Sequence, residues 1–183
     1  VKGTYLMWVD SDDILYSNNI EVKVRYLEEH PECGLVMCKA HIVKEDAIDI
    51  IIGEMFRNSN LDNDNFFEDL LFDRNVVFNP CIYMARILAF DQAIPNRNIY
   101  ESREGQNWQM LLPLAHMFQY GYIDEHLAKI VEHCDSHSRI KRSYEKQIKR
   151  EIAIIQLLNK VITGMVDLNE EQKSQLLKRI GIY

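Results

Sequence analysis

Apolar and polar positions along the first 138 residues change between strand and helix periodicity, which predicts strands interleaved with helices. Residues 4–9 form a continuously apolar run, typical of a strand that is buried on both faces. Residues 35–43 form a second strand whose apolar side chains share one face. Between them, polar cap residues at 17–19 open a helix that reaches about His30, where Pro31 ends it.

The remaining residues also alternate between strand and helix patterns, and the chain ends in predicted helices. We predict a third strand at 75–84, broken by Pro80, and short strands at 122–124 and 127–133. Residues 46–60 are either a short edge strand or a loop. Helices are predicted at 62–74, 85–90, 108–120, 142–164 and 169–179, the last with a capping box. The fold class is therefore α/β, with a first domain at 1–138 and a helical extension at 139–183.

Composition fits one globular domain and excludes some partners. The 183 residues are 47% hydrophobic, enough for a substantial core. The net charge of −7 and the pI of about 5.4 argue against a nucleic-acid partner. No apolar run approaches the roughly 18 residues of a membrane helix, and no signal peptide is visible.

Four cysteines are scattered without CxxC spacing, which argues against a structural zinc site and a disulfide framework. Reduced thiols predict a cytoplasmic protein. The first residue, Val1, is not a methionine, and a predicted strand follows within a few residues. We therefore expect the natural sequence to continue upstream.

Three carboxylates, Asp10, Asp12 and Asp13, come directly after the first predicted strand, in a segment that we call the acidic loop (residues 10–13). Carboxyl ends of strands are where open α/β sheets bind ligands. Mg²⁺ and Mn²⁺ prefer oxygen ligands, often one or two carboxylates with phosphate oxygens. The spacing predicts either a metal–diphosphate site or a solvated acidic turn.

The segment KGTYLMWVDSDDIL resembles the DxD segment of family 2 glycosyltransferases. Further resemblances follow in the family's order, in CGLVMCKAHIV, VFNPCIYMAR, GQNWQMLLPLAHMFQYGYIDEHLAKIVEH and CDSHSR. Together they cover roughly residues 2 to 140.

The resemblance implies a GT-A fold and transfer of a sugar from a nucleotide-diphosphate donor, with inversion and with Mn²⁺ or Mg²⁺. The acceptor would be a saccharide or a lipid-linked saccharide. Family members begin with a nucleotide-binding half of two or three βαβ units, roughly 60 to 90 residues. This chain would be the downstream portion of such a domain.

The resemblance also implies donor-side roles for individual residues. Asp12 would bind the metal, and Asp10 would contact the ribose or the metal. His137 would be a further metal ligand, since neutral imidazole suits Mn²⁺. Arg139 would contact the diphosphate, which a guanidinium binds in a bidentate way.

The catalytic base is the weakest point of the resemblance. Inverting transfer needs a carboxylate to accept the proton of the acceptor hydroxyl. The family's acidic pair aligns with Gln106 and Asn107, whose amides cannot serve as bases. Glu104 is the closest substitute, and Gln106, Asn107 and Trp108 would contact the acceptor sugar.

The competing hypothesis is a non-catalytic module for dimerisation or scaffolding. The basic run at 139–150 is either a solvated helix face or a peripheral contact with anionic lipid. Ile148, Ile152, Ile155 and Leu158 form a helical stripe that is either core packing or a homodimer face.

Overall fold

The computed structural model describes residues 2–57, 65–102, 105–133 and 143–181. Its centre is the parallel pair of two long strands, β3 (Cys33–Lys44) and β6 (Gln119–Glu132). From Cys33 to Cys38 every residue of β3 is buried, as expected for a strand that is covered on both faces.

Four shorter strands complete the sheet. On the other edge of β3, β5 (Tyr83–Arg86) pairs with residues 35–37 and β4 (Ala47–Met55) pairs with residues 40–44, both antiparallel. The two-residue strands β1 (Tyr5–Leu6) and β2 (Ile14–Leu15) lie at opposite ends of the strand order, which is β1-β5-β3-β6-β2.

The acidic loop crosses the sheet because β1 and β2 lie at opposite edges. The four gaps between β1 and β2 amount to about 19 Å at roughly 4.8 Å per strand spacing. The seven residues 7–13 reach about 26 Å when fully extended, so the crossing leaves little slack. This explains why only Tyr5 and Leu6 pair as a strand.

Six α-helices of the described residues pack around the sheet. They are α1 (Asn19–Glu29), α2 (Phe66–Leu71), α3 (Ile87–Ala93), α4 (Gln106–Met117), α5 (Tyr144–Gly164) and α6 (Glu170–Arg179). The α4 residues Leu111, Leu112 and Leu114 are fully buried. Helix α5 packs on α4, and the predicted capping box of Asn169 and Gln172 opens α6.

Two buried polar side chains attach α1 to the strands. Asn19 donates from Nδ2 to the carbonyl of Leu127 at 2.6 Å, and Lys23 donates from Nζ to the carbonyl of Cys81 at 2.8 Å. Burial lowers the pKa of Lys23. These bonds fix α1 against β6, which contains Leu127, and against the turn before β5, which contains Cys81, because a buried donor that lost its acceptor would be costly.

The structure corrects several sequence predictions. The run 4–9 is not buried on both faces, since Tyr5 to Trp8 are partly exposed and Val9 is 41% exposed. Residues 75–79 form no strand. A 3₁₀ turn at Pro80–Ile82 precedes β5, because Pro80 has no N–H for a ladder.

Three further boundaries differ from the prediction. The two strands predicted at 122–133 are one strand, β6, with register shifts. Helix α3 begins two residues later than predicted, and α2 spans only Phe66–Leu71. Of the two alternatives at 46–60, the edge strand is the one formed.

Cys33, Cys38 and Cys81 are free and buried, and burial raises the pKa of each thiol, so these side chains are structural. Cys134 lies outside the described residues. Within the described ranges, no helix combines the length and apolar character needed to cross a membrane.

We predict that Gly34→Ala destabilises the protein by about 1–3 kcal/mol, since a Cβ at Gly34 would lie 2.6 Å from the Cβ of Phe118. Phe118 cannot turn away, because the clash involves the atom next to its backbone. Thermal unfolding should show a lower Tm by several degrees.

Gly164→Ala is the matched control, since its Cβ would meet no atom within 4 Å. Its Tm should stay unchanged or rise slightly. An equal change in Tm for the two substitutions would contradict close packing between Gly34, at the start of β3, and Phe118, just before β6.

Candidate functional site

Asp13 anchors the acidic loop to the end of the sheet. Its Oδ1 accepts from the backbone N–H of Val131 in β6 at 3.1 Å, and its Oδ2 accepts from Nδ2 of Asn79 at 3.0 Å. The backbone N–H of Asp13 donates to the carbonyl of Asp10 at 3.2 Å, which closes a turn. Both carboxylate oxygens therefore serve the fold, which leaves ligand binding to the other two aspartates.

Asp10 and Asp12 are exposed beside this anchor. Partial burial and then the charges of Asp13 and Asp12 raise the pKa of Asp10. The crowding of like charges is a cost that a bound cation would offset.

His133, directly after β6, lies between two carboxylates. Its Nε2 is 2.8 Å from Oδ2 of Asp12, and its Nδ1 is 2.8 Å from Oε2 of Glu45. The hydrogen bond to Glu45, and to a lesser degree the contact with Asp12, raises the pKa of His133 against the opposing effect of burial. The raised pKa favours the positively charged imidazolium form beside the acidic loop.

A cavity of about 780 Å³ opens between the acidic loop, residues 76–80, the start of α4 and the end of β6. Its apolar wall includes Trp8, Ile42, Met55, Phe78, Met110 and Ile130. Among the lining residues that the structure describes, five are acidic, and positive charge comes from His133 and from Arg150 of α5. The five acidic residues are Asp10, Asp12, Asp13, Asp73 and Glu132.

Asn107, a predicted acceptor residue, lines the cavity and also holds its walls together. Its Oδ1 accepts from Nε1 of Trp8 at 3.2 Å, and its Nδ2 donates to the carbonyl of Phe78. One N–H and one lone pair of the amide remain for a ligand.

Trp108, the second predicted acceptor residue, is only 7% exposed. Its Nε1 donates to the carbonyl of Leu70 at 2.7 Å, and its ring packs edge-on against Phe78. It contributes to the cavity wall from the core, whereas Trp8 is the more exposed tryptophan there. Gln106 begins α4, and its side chain lies outside the described residues.

Three predicted site residues, Glu104, His137 and Arg139, lie outside the described residues. Their roles as base, metal ligand and diphosphate contact stay predictions. In the described part of the chain, the acidic loop does not bring three ligand atoms within 4.8 Å of one another. Its chemistry still fits Mg²⁺ or Mn²⁺, since these ions are commonly held by one or two carboxylates plus substrate phosphates.

Sequence reasoning missed His133, Trp8 and Arg150. The pairing of two strands brings His133 to the site. Strands β3 and β6 run parallel with Lys44 opposite Glu132, so the next residues, Glu45 and His133, are adjacent. A single sequence does not show strand order, so this proximity was not predictable.

We predict that Asp13→Asn lowers the free energy of unfolding by about 1–3 kcal/mol, measured by urea denaturation. An amide in place of the carboxylate turns one acceptor into a donor, which would face the N–H of Val131 or the amide of Asn79.

Asp10→Asn on the same loop is the control. A raised pKa means that the ionised form of Asp10 costs stability above that pKa, so removal of its charge at neutral pH should leave stability equal or higher. A larger loss in Asp10→Asn than in Asp13→Asn would contradict these roles.

No family model and no curated protein matches the sequence. Two solved structures of S. aureus TarS 1–349 share its fold. The complex with UDP-GlcNAc has a TM-score of 0.58 and 18% identity over 98% of this chain and 48% of that chain. The second has a TM-score of 0.55 and 13% identity over 98% and 46%. This chain spans about half the length of those structures, and its curled sheet with flanking helices matches their fold, which confirms the predicted α/β class.

Proposed function

We propose that this chain is part of a nucleotide-sugar glycosyltransferase that is metal-dependent and inverting and acts on a saccharide-type acceptor. The observation that carries the proposal is the pair of exposed carboxylates, Asp10 and Asp12, at a cavity of about 780 Å³. The fold shared with a structure in complex with UDP-GlcNAc supports a nucleotide-diphospho-sugar donor. The family 2 assignment rests on the sequence resemblance.

The charge of the cavity supports metal dependence. Five carboxylates line it against His133 and Arg150, so a doubly charged diphosphate alone would be repelled. Asp12 and Asp10 would hold Mn²⁺ or Mg²⁺ together with diphosphate oxygens. When bound, the ion neutralises the charge that develops on the leaving diphosphate.

The transfer itself is a single displacement. The acceptor oxygen forms a bond to the anomeric carbon, the bond from that carbon to the diphosphate oxygen breaks, and the nucleoside diphosphate leaves. The acceptor proton passes to a carboxylate, for which Glu104 is proposed. Attack opposite the leaving group inverts the anomeric centre.

The residues at the start of α4 would serve the acceptor side. Asn107 holds Trp8 and the carbonyl of Phe78 in place, and its remaining N–H would be available to the acceptor. Gln106 and Trp108 complete the proposed acceptor side. His137 and Arg139 remain proposed contacts of the metal and the diphosphate.

A non-catalytic module is the second candidate, favoured by the exposed face of α5. Ile148, Ile152 and Ile155 of the predicted stripe are 59%, 48% and 47% exposed, whereas Leu158 is buried. Tyr144 on the same helix is 91% exposed. An apolar helix face of this kind suits a homodimer or scaffold contact.

We predict that Mn²⁺ and UDP together raise the Tm more than the sum of their separate effects, because each completes the binding site of the other. Asp12→Asn should abolish this synergy, while Asp46→Asn, in an exposed turn, should keep it. The measurement is differential scanning fluorimetry of this chain and of the natural polypeptide that contains it.

No synergy in either protein with UDP, GDP, dTDP or ADP would favour the non-catalytic module. Synergy that survives in Asp12→Asn would place the metal elsewhere.

We also predict that Arg150→Gln weakens UDP binding at least fivefold in the presence of Mn²⁺, since Arg150 contributes positive charge to the cavity wall. Lys149→Gln is the matched control, because Lys149 is exposed and does not line the cavity. Calorimetric titration with UDP and with uridine tests this. Equal losses for both ligands would show that Arg150 does not act on the diphosphate.

A further inference from the structure

A second group of potential ligands lies away from the cavity, on three neighbouring strands. It consists of His41 on β3, Glu54 on β4 and His126 on β6, and we call it the sheet-face cluster. One ligand atom from each residue lies within 4.8 Å of the other two. Among the described residues, this is the group whose ligand atoms come together in this way.

The cluster is on the face of the sheet opposite the cavity. His41 and Glu54 are directly paired across β3 and β4, so their side chains share a face. Ile42 and Met55, their chain neighbours, line the cavity. Because side chains alternate along a strand, the cluster must point the other way.

One ring nitrogen of the cluster has no hydrogen-bond partner. Nε2 of His126 is buried and makes no hydrogen bond, although Oε2 of Glu54 is 3.4 Å away. Buried polar atoms are normally satisfied, so this ring nitrogen is free to take a partner beside the carboxylate of Glu54.

The second imidazole is already oriented. Nδ1 of His41 is 2.8 Å from the hydroxyl of Tyr16, which leaves Nε2 for a ligand. A hydrogen bond from the far ring nitrogen is the usual support of a metal-binding histidine.

We propose that His41, Glu54 and His126 form a binding site for a Zn²⁺-class transition-metal dication, with water in the remaining position. Two imidazoles and one carboxylate are a known zinc donor set. Metal bonds of about 2.0–2.1 Å place tetrahedral ligands about 3.3–3.4 Å apart, close to the observed 3.4 Å between His126 and Glu54.

Metal binding requires one local change. The rings of His41 and His126 are stacked, with centroids 4.0 Å apart and planes at 4°. A metal lies in the plane of each imidazole that binds it, so one ring must turn about χ2, a broad torsion. The half-exposed carboxylate of Glu54 keeps the site open to solvent.

The bound metal would cross-link β3, β4 and β6. Strand β4 pairs with β3 alone and carries four exposed isoleucines, so it gains most from a cross-link to β6. This role does not depend on the proposed transferase activity.

The test is Zn²⁺ titration of EDTA-treated protein by calorimetry, with Co²⁺ absorption as a probe of coordination. Because Asp12, His133 and Glu45 are also near one another, the parent for all variants carries Asp12→Asn and His133→Gln. We expect one Zn²⁺ per chain in this parent, bound at least tenfold more weakly after Glu54→Gln or His126→Gln.

His30→Gln is the matched control, since His30 stacks on Tyr26 outside the cluster, and it should bind Zn²⁺ as the parent does. Glu54 is half exposed, so Glu54→Gln tests the site without loss of a core side chain. Absence of saturable Zn²⁺ binding in the parent, or binding unchanged in both cluster variants, would overturn the proposal. Failure of the Mn²⁺–UDP synergy leaves this result unaffected.

Discussion

The parallel pairing of β3 with β6 is the constraint on which the rest of the structure depends. Because the two strands run in the same direction, their carboxyl ends meet at one edge of the sheet, with Lys44 opposite Glu132. The next residues, Glu45 and His133, therefore become neighbours. Asp13 then accepts the N–H of Val131, which brings the acidic loop to the same edge. The candidate site is assembled by strand register rather than by proximity along the chain.

The sequence predicted the parts of this arrangement that are local. The α1 helix and the central strand were recognisable from periodicity, the start of α6 from its capping box, and the acidic loop from its charge, whereas the cap predicted for α1 at 17–19 makes no side-chain capping bond from Asn18. The crossing of the loop from β1 to β2 was not predictable, since it follows from strand order. Continuous apolar character suggested burial for residues 4–9, but sheet topology requires the chain to leave β1 after Leu6.

Predictions for single site residues were limited by a different cause. Asn107 and Trp108 were correctly placed beside the cavity, but their hydrogen bonds to Trp8, Phe78 and Leu70 depend on tertiary contacts across 29 to 99 residues. Such contacts decide how much of a side chain is left for a ligand. His133 shows the converse, because its neighbours along the chain are apolar or acidic and only the folded sheet places two carboxylates against its ring.

The two groups of histidines and carboxylates differ in the metal chemistry they permit. Around the acidic loop the potential ligands are mainly carboxylates, and the two ring nitrogens of His133 each lie 2.8 Å from a carboxylate oxygen, of Asp12 and of Glu45. The acidic loop is thus an oxygen-donor site, which suits Mg²⁺ or Mn²⁺. In the sheet-face cluster two of the three potential ligands are imidazoles, His41 and His126, which suits a softer ion such as Zn²⁺. The difference in ligand atoms would therefore direct the two kinds of cation to different sites, on opposite faces of one sheet.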